Sequence, residues 1–207
     1  MKNWKLSAVM AAATLAVAGG SAVAESQYGY DAAGTATVTA KGDLNIKVNV
    51  PKLVLLKIGT SSGTVDDATI SGTFGTVPGG GATLADGSNV ATDWDGTAPS
   101  FAAAGSSSPV QVRAWTNAIG GGSLAGTVQT AFPITGMDAM VTVANSAPAA
   151  GGSLVHPGAN LATSTPTTFT RNTLVGSLWT FRISAANLLT LPAGSYSQLM
   201  RYTATTL

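Results

Sequence analysis

Across residues 36–50 the chain alternates. Ala36, Val38, Ala40, Gly42, Leu44, Ile46, Val48 and Val50 are small or apolar, and Thr, Lys, Asp or Asn stand between them. A period of two over this length predicts extended strand rather than helix. Pro51 ends the pattern, and the apolar run 52–58 reads as a strand buried on both faces. The alternation itself reads as two pieces joined near Gly42, residues 44–50 belonging to the domain's own sheet and residues 34–40 offered elsewhere.

The same period returns along the chain. Residues 67–77 are a candidate strand with Ile70 and Phe74 as bulky residues, 109–115 set Val110, Val112 and Ala114 against Gln111, Arg113 and Trp115, and 138–145 alternate again. A glycine turn precedes a strand over 124–130, and 173–184 carry Leu174, Leu178, Trp179, Phe181 and Ile183. Residues 185–194 read as a turn or one helical turn before a last strand in which Tyr196, Gln198, Met200, Tyr202, Ala204 and Thr206 share a face. Two stretches lack a pattern. Residues 78–108 are rich in Gly, Ala and Ser with Leu84, Trp94 and Phe101 isolated among them; they form either a surface excursion pinned by Trp94 and Phe101 or a loop hiding a short edge strand. Residues 146–166 hold one short strand at most, around Leu154 and Val155. Short β-branched and aromatic runs between turn residues predict an all-β protein, an immunoglobulin-like antiparallel β-sandwich of about seven to nine strands, open to completion by strand exchange.

Composition adds a compartment. Lys2 and Lys5 precede an apolar run from Leu6 to Val17, and Ala22, Val23 and Ala24 offer small residues for cleavage, the plan of a secretory signal peptide over 1–24. That run is too short for a bilayer span, which takes about 20 apolar residues, and with no cysteine the chain has nothing to carry a lipid or a disulfide. The expected organisation is therefore a cleaved signal over 1–24, an N-terminal extension and candidate donor strand over 25–43, and a domain over 44–207, with no transmembrane segment after processing. Without Lys2 and Lys5 the ten bases become eight against nine acids, which leaves no basic patch for nucleic acid. Charged residues are 9% of the chain, a composition suited to a subunit held in an assembly better than to a freely soluble monomer.

Candidate chemistry is sparse. The one histidine, His156, precedes a proline in a polar stretch and reads as an exposed loop imidazole without a neighbouring Cys or Glu to share a proton or metal. Asp66, Asp67, Asp93 and Asp95 are the acidic candidates; the Asp93-Trp94-Asp95-Gly96 run lacks the downstream acid of a calcium loop and reads as a tight Asp-Gly turn. The glycine clusters at 79–81 and 120–122 are not followed by Lys-Ser/Thr and read as turns rather than phosphate loops. Trp115 and Trp179 lie in strand patterns and are core candidates. No catalytic, cofactor-binding or metal-binding residue is expected, and the chain does not read as an enzyme.

The two strand-forming ends, with Gly194 fourteenth from the last residue and Tyr196, Met200 and Tyr202 after it, resemble those of chaperone–usher fimbrial subunits of Gram-negative bacteria. That resemblance implies an incomplete immunoglobulin-like domain completed by an N-terminal strand of the next subunit, with a periplasmic chaperone and an outer-membrane assembly protein as partners, and a place at the cell surface reached through the periplasm. Candidate donor contacts are then Ala36, Val38, Ala40, Leu44 and Ile46. Thr206 stands where an aromatic is common in that family, and the cysteine pair of many members is missing. The rival expectation is a monomeric secreted binding module for a polysaccharide or cell-surface partner, with Trp94 as its loop residue.

Overall fold

The structure, a computed structural model, describes residues 26–60, 63–146 and 152–207. The expected signal segment over 1–24 lies outside the described residues, as do Glu25 and part of the second patternless stretch, 147–151. Contacts within the chain define two units, Met1–Val50 and Pro51–Leu207.

In the first unit, residues 26–50 carry neither strand nor helix, and residues 32–50 are exposed throughout. One local knot orders its beginning. The Asp31 carboxylate accepts backbone N–H bonds from Ala36 at 2.7 Å, Thr35 at 2.8 Å and Ala33 at 3.0 Å. These bonds, the Ala36 one foremost, hold its carboxyl below the usual range. The strand expected over 44–50 in the domain's own sheet is therefore not formed. An extended segment with a period of two becomes a strand only where another strand takes its backbone donors and acceptors.

The second unit is mostly antiparallel sheet, with two short helices among its described residues. Its elements are β1 (Val54–Ile58), β2 (Gly105–Ser106), β3 (Val110–Thr116), β4 (Gly122–Thr130), α1 (Met137–Met140), β5 (Thr142–Ser146), β6 (Thr167–Phe169), β7 (Val175–Ile183), α2 (Ala185–Thr190) and β8 (Leu199–Thr206). In the larger sheet β1 pairs with β3 and β3 with β7; β5 takes the other edge of β7, since Trp179 stands opposite both Val110 and Asn145. β2 extends the β3 side of β7, with Gly105 opposite Ile183. The smaller sheet runs β6-β4-β8, and Gly121 at φ 80° turns the chain into β4.

Both sheets contribute to one core. Val112 and Ala114 of β3, Val175, Trp179, Phe181 and Ile183 of β7, Leu124 of β4 and Phe169 of β6 form a single buried cluster, with Met200, Tyr202 and Ala204 of β8 packed against it. Trp179 lies at its centre, wholly buried, and its indole N–H donates to Leu154 O at 3.0 Å, so the one polar atom of the ring is satisfied.

Several elements differ from the sequence pattern. β1 was expected to be buried on both faces, yet Val54, Leu56 and Ile58 face the core while Leu53 and Leu55 are about half exposed, because β1 is an edge strand with cover on one side. The alternation over 138–145 begins as the helical turn α1, entered through Gly136 at φ 81°, and becomes strand only from Thr142. Residues 67–77 form isolated bridges, Ser71 to Ser106 and Phe74 to Phe101, rather than a strand. In the 78–108 excursion Phe101 is the pin, stacked on Phe74 at 4.3 Å between ring centroids, and the two-residue β2 is the short strand hidden there.

Candidate functional site: the free edges of β1 and β8

β8 forms because Leu199–Thr206 alternates cleanly, and it pairs with β4 from Gly122↔Thr206 to Thr130↔Leu199. Among the described residues no strand takes its other edge. Every second N–H and C=O along an antiparallel edge points away from its partner, so β8 presents a ladder one-sided over eight residues. Its inward residues Met200, Tyr202 and Ala204 pack on the core, yet these three and Thr206 on the same face are half-buried and none fully. β1, the edge of the other sheet, approaches β8 without hydrogen bonding to it, and its inward residues Val54, Leu56 and Ile58 are also half-buried. The two sheets thus share a well-filled centre and a seam between β1 and β8 where apolar side chains are incompletely covered.

Polar groups fasten β8 to the core from below. His156, expected as an exposed loop imidazole, is buried: its Nδ1–H donates to Gly158 O at 2.7 Å, and its Nε2 accepts from the Tyr202 hydroxyl at 2.8 Å. The ring stands edge-on to Trp179 at 4.8 Å and to Tyr202 at 5.5 Å, and Asn145 Oδ1 accepts the His156 backbone N–H. Every polar atom of the imidazole is used, which is what permits a histidine inside an apolar cluster. Burial pushes the His156 pKa down, against a smaller opposing effect of the Gly158 carbonyl, and burial raises that of Tyr202. A folded-state histidine pKa below the unfolded value of about 6.5 means that the unfolded chain takes up the proton first as pH falls. Stability from this group is complete above that value and declines below it. The unfolding free energy from urea titration is expected to fall between pH 7 and pH 5, by up to about 1.4 kcal/mol per pH unit, and to fall less in His156→Gln.

At the head of β8, the Gln198 amide nitrogen reaches Met200 Sδ, while its Oε1 is the one buried side-chain acceptor without a partner among the described residues. Ahead of it Gly194 lies exposed in the loop, and Tyr196 donates its hydroxyl to Pro192 O at 2.6 Å. Of the expected terminal-strand residues, Met200 and Tyr202 line the seam, whereas Gly194 and Tyr196 precede the strand. The candidate donor contacts Ala36, Val38, Ala40, Leu44 and Ile46 all lie in the exposed, strandless segment of the first unit.

A second clamp lies at the start of the second unit. Asn117 Oδ1 accepts the Leu53 N–H and its Nδ2 donates to Pro51 O, both at 2.7 Å, and Thr116 Oγ1 donates to Leu53 O at 2.8 Å. Residues 51–53 are thereby fixed to the end of β3. Nothing in the sequence pattern marked Asn117 or His156, since their partners lie 66 and 46 residues away.

Trp94 stands elsewhere. Its N–H donates to Thr97 O at 2.7 Å, and with Phe74, Val77, Leu84 and Pro99 it lines an open apolar depression of about 330 Å³. Asp95 accepts from Thr97 N at 2.8 Å ahead of Gly96 at φ 86°, a tight turn; its carboxyl is held low by that bond. Among the described residues no group of three or more His, Cys, Asp or Glu side chains is placed to hold a metal ion, and no helix is long and apolar enough to cross a membrane. Comparison with family models, with curated proteins and with solved structures finds no match to this chain.

Proposed function

We propose that this chain is a secreted structural subunit of a surface fibre or pilus, not an enzyme, and that it polymerises when the N-terminal extension of one copy adds as a strand to a neighbour. The observation that carries this reading is the pairing of an unfilled receptor with an unused ligand in one chain. Among the described residues β8 has no partner strand on one edge, which lies over half-buried apolar residues, and an alternating segment ahead of the sheets exposes its apolar positions to water. Strand addition satisfies both: main-chain bonds supply affinity, and alternate side chains fill the seam.

The topology supports the immunoglobulin-like sandwich. A constant-type immunoglobulin domain sets strands A, B, E and D in one sheet and C, F and G in the other. Here β1-β3-β7-β5 follows the A-B-E-D order, and β4 and β8 follow C and F. The place of G, beside β8, is the open edge. The resemblance to chaperone–usher subunits fits that plan, and with it go a periplasmic chaperone, an outer-membrane assembly protein and passage through the periplasm to the cell surface.

Electron microscopy of the mature protein beside a chain lacking residues 34–50 tests the proposal, with fibres expected from the first alone. A second reading, a monomeric binding module, rests on the apolar depression at Trp94; it predicts a monomer whether or not residues 34–50 are present.

A further inference from the structure

We infer that the strand received by β8 is residues 43–50 of a second copy, laid antiparallel to β8, and not the smaller-residue stretch 34–40. The inference rests on the strand-addition reading above and names its ligand. Four observations carry it.

Length agrees, since the eight residues 43–50 run opposite residues 207–200 and so cover all of β8 but Leu199. Exposure agrees as well: Leu44, Ile46, Val48 and Val50 are 77%, 77%, 80% and 74% exposed, one continuous apolar stripe whose opposite face is Asp43, Asn45, Lys47 and Asn49. The stretch 34–40 offers only Ala36, Val38 and Ala40 on that face, and it is engaged within its own unit: a Cβ placed on Gly29 would lie 3.0 Å from Val38 Cβ and 3.0 Å from Thr39 O.

The third observation is side-chain size. Along β8 the inward residues shrink from Met200 and Tyr202 to Ala204 and Thr206. Along the donor they shrink from Leu44 and Ile46 to Val48 and Val50. An antiparallel register with Val50 beside Met200, Val48 beside Tyr202, Ile46 beside Ala204 and Leu44 beside Thr206 sets small against large at each step, as dense packing requires. A parallel register would set large against large.

The fourth is the boundary. Pro51 has no N–H to give a ladder and so ends the donor strand, and Asn117 of the donating copy holds residues 51–53 on that copy's own β3 end. Donor and domain are then joined by three fixed residues, a span of at most about 11 Å, so consecutive subunits abut closely.

The test uses the full mature chain. Ile46→Asp/Val48→Asp is expected to raise the concentration needed for fibres at least a hundredfold, because two carboxylates would enter an apolar seam, while Ala36→Asp/Val38→Asp leaves it within a few fold. Both sites are exposed in the subunit, so unfolding midpoints verify that each variant folds. Register is tested by size exchange: Ile46→Ala and Ala204→Ile each weaken assembly, and the double variant restores it. Loss of fibres on charging 36 and 38, with or without loss at 46 and 48, overturns the choice of segment and leaves strand donation standing. Failure of the size exchange to restore assembly overturns the register. Fibres undiminished in both charged variants overturn strand donation by this extension altogether.

Discussion

Deleting residues 34–50 from the mature chain is expected to abolish fibres while the antiparallel sheets still fold. The sheets and their shared core lie wholly within 51–207, and none of the deleted residues belongs to the buried cluster. On the strand donation proposed above, what the deletion removes is association. Four side chains three-quarters exposed in the subunit would lose their apolar contact with water on entering the seam, at about 1.5 kcal/mol or more each. A gross sum near 6 kcal/mol, before any main-chain bonding, corresponds to more than four orders of magnitude in affinity. Sedimentation of the deletion protein at concentrations where the mature chain forms fibres should give a monomer.

The largest effect on the subunit itself is expected at Trp179. Trp179→Ala removes a fully buried indole, leaves the Leu154 carbonyl without its donor, and takes away the ring against which His156 and Tyr202 pack. Large-to-small changes of this kind cost about 3–5 kcal/mol, a large part of the stability of a domain this size. Tyr202 lies on β8, so the loss reaches the edge strand: the unfolding midpoint should drop steeply and assembly with it. Trp94→Ala removes a half-exposed ring from the excursion and serves as the contrast, with stability changed by less than about 1 kcal/mol.

Much of the sheet was legible from alternation. β3, β7 and β8 fall where Val110, Val112 and Ala114, then Trp179, Phe181 and Ile183, then Met200, Tyr202 and Ala204 mark one face. Alternation reports which face is apolar, and it is silent about what covers that face. This is why residues 44–50 read as home strand though they form no strand among the described residues, and why β1 read as doubly buried when it is an edge. Short elements escape a period altogether: β6 is three residues, β2 is two, and α1 is a single turn inside an alternating run. His156 was misread because burial of a polar ring depends on partners distant in sequence, here Tyr202 and Trp179. The candidate site was half legible. Both strand-forming ends stood out, while the free edge that gives them meaning required the strand order.

If the outer edge of β8 gains a partner only on assembly, amide hydrogen exchange along residues 199–206 should differ between the free subunit and the fibre. In the chain lacking residues 34–50, about half of these amides, those directed away from β4, should exchange rapidly, as unpaired edge groups do. In fibres of the mature chain the whole run should be protected, and protection should appear in step over residues 43–50. A β8 whose outer amides exchange as fast in the assembled protein as in the deletion protein would contradict the claim.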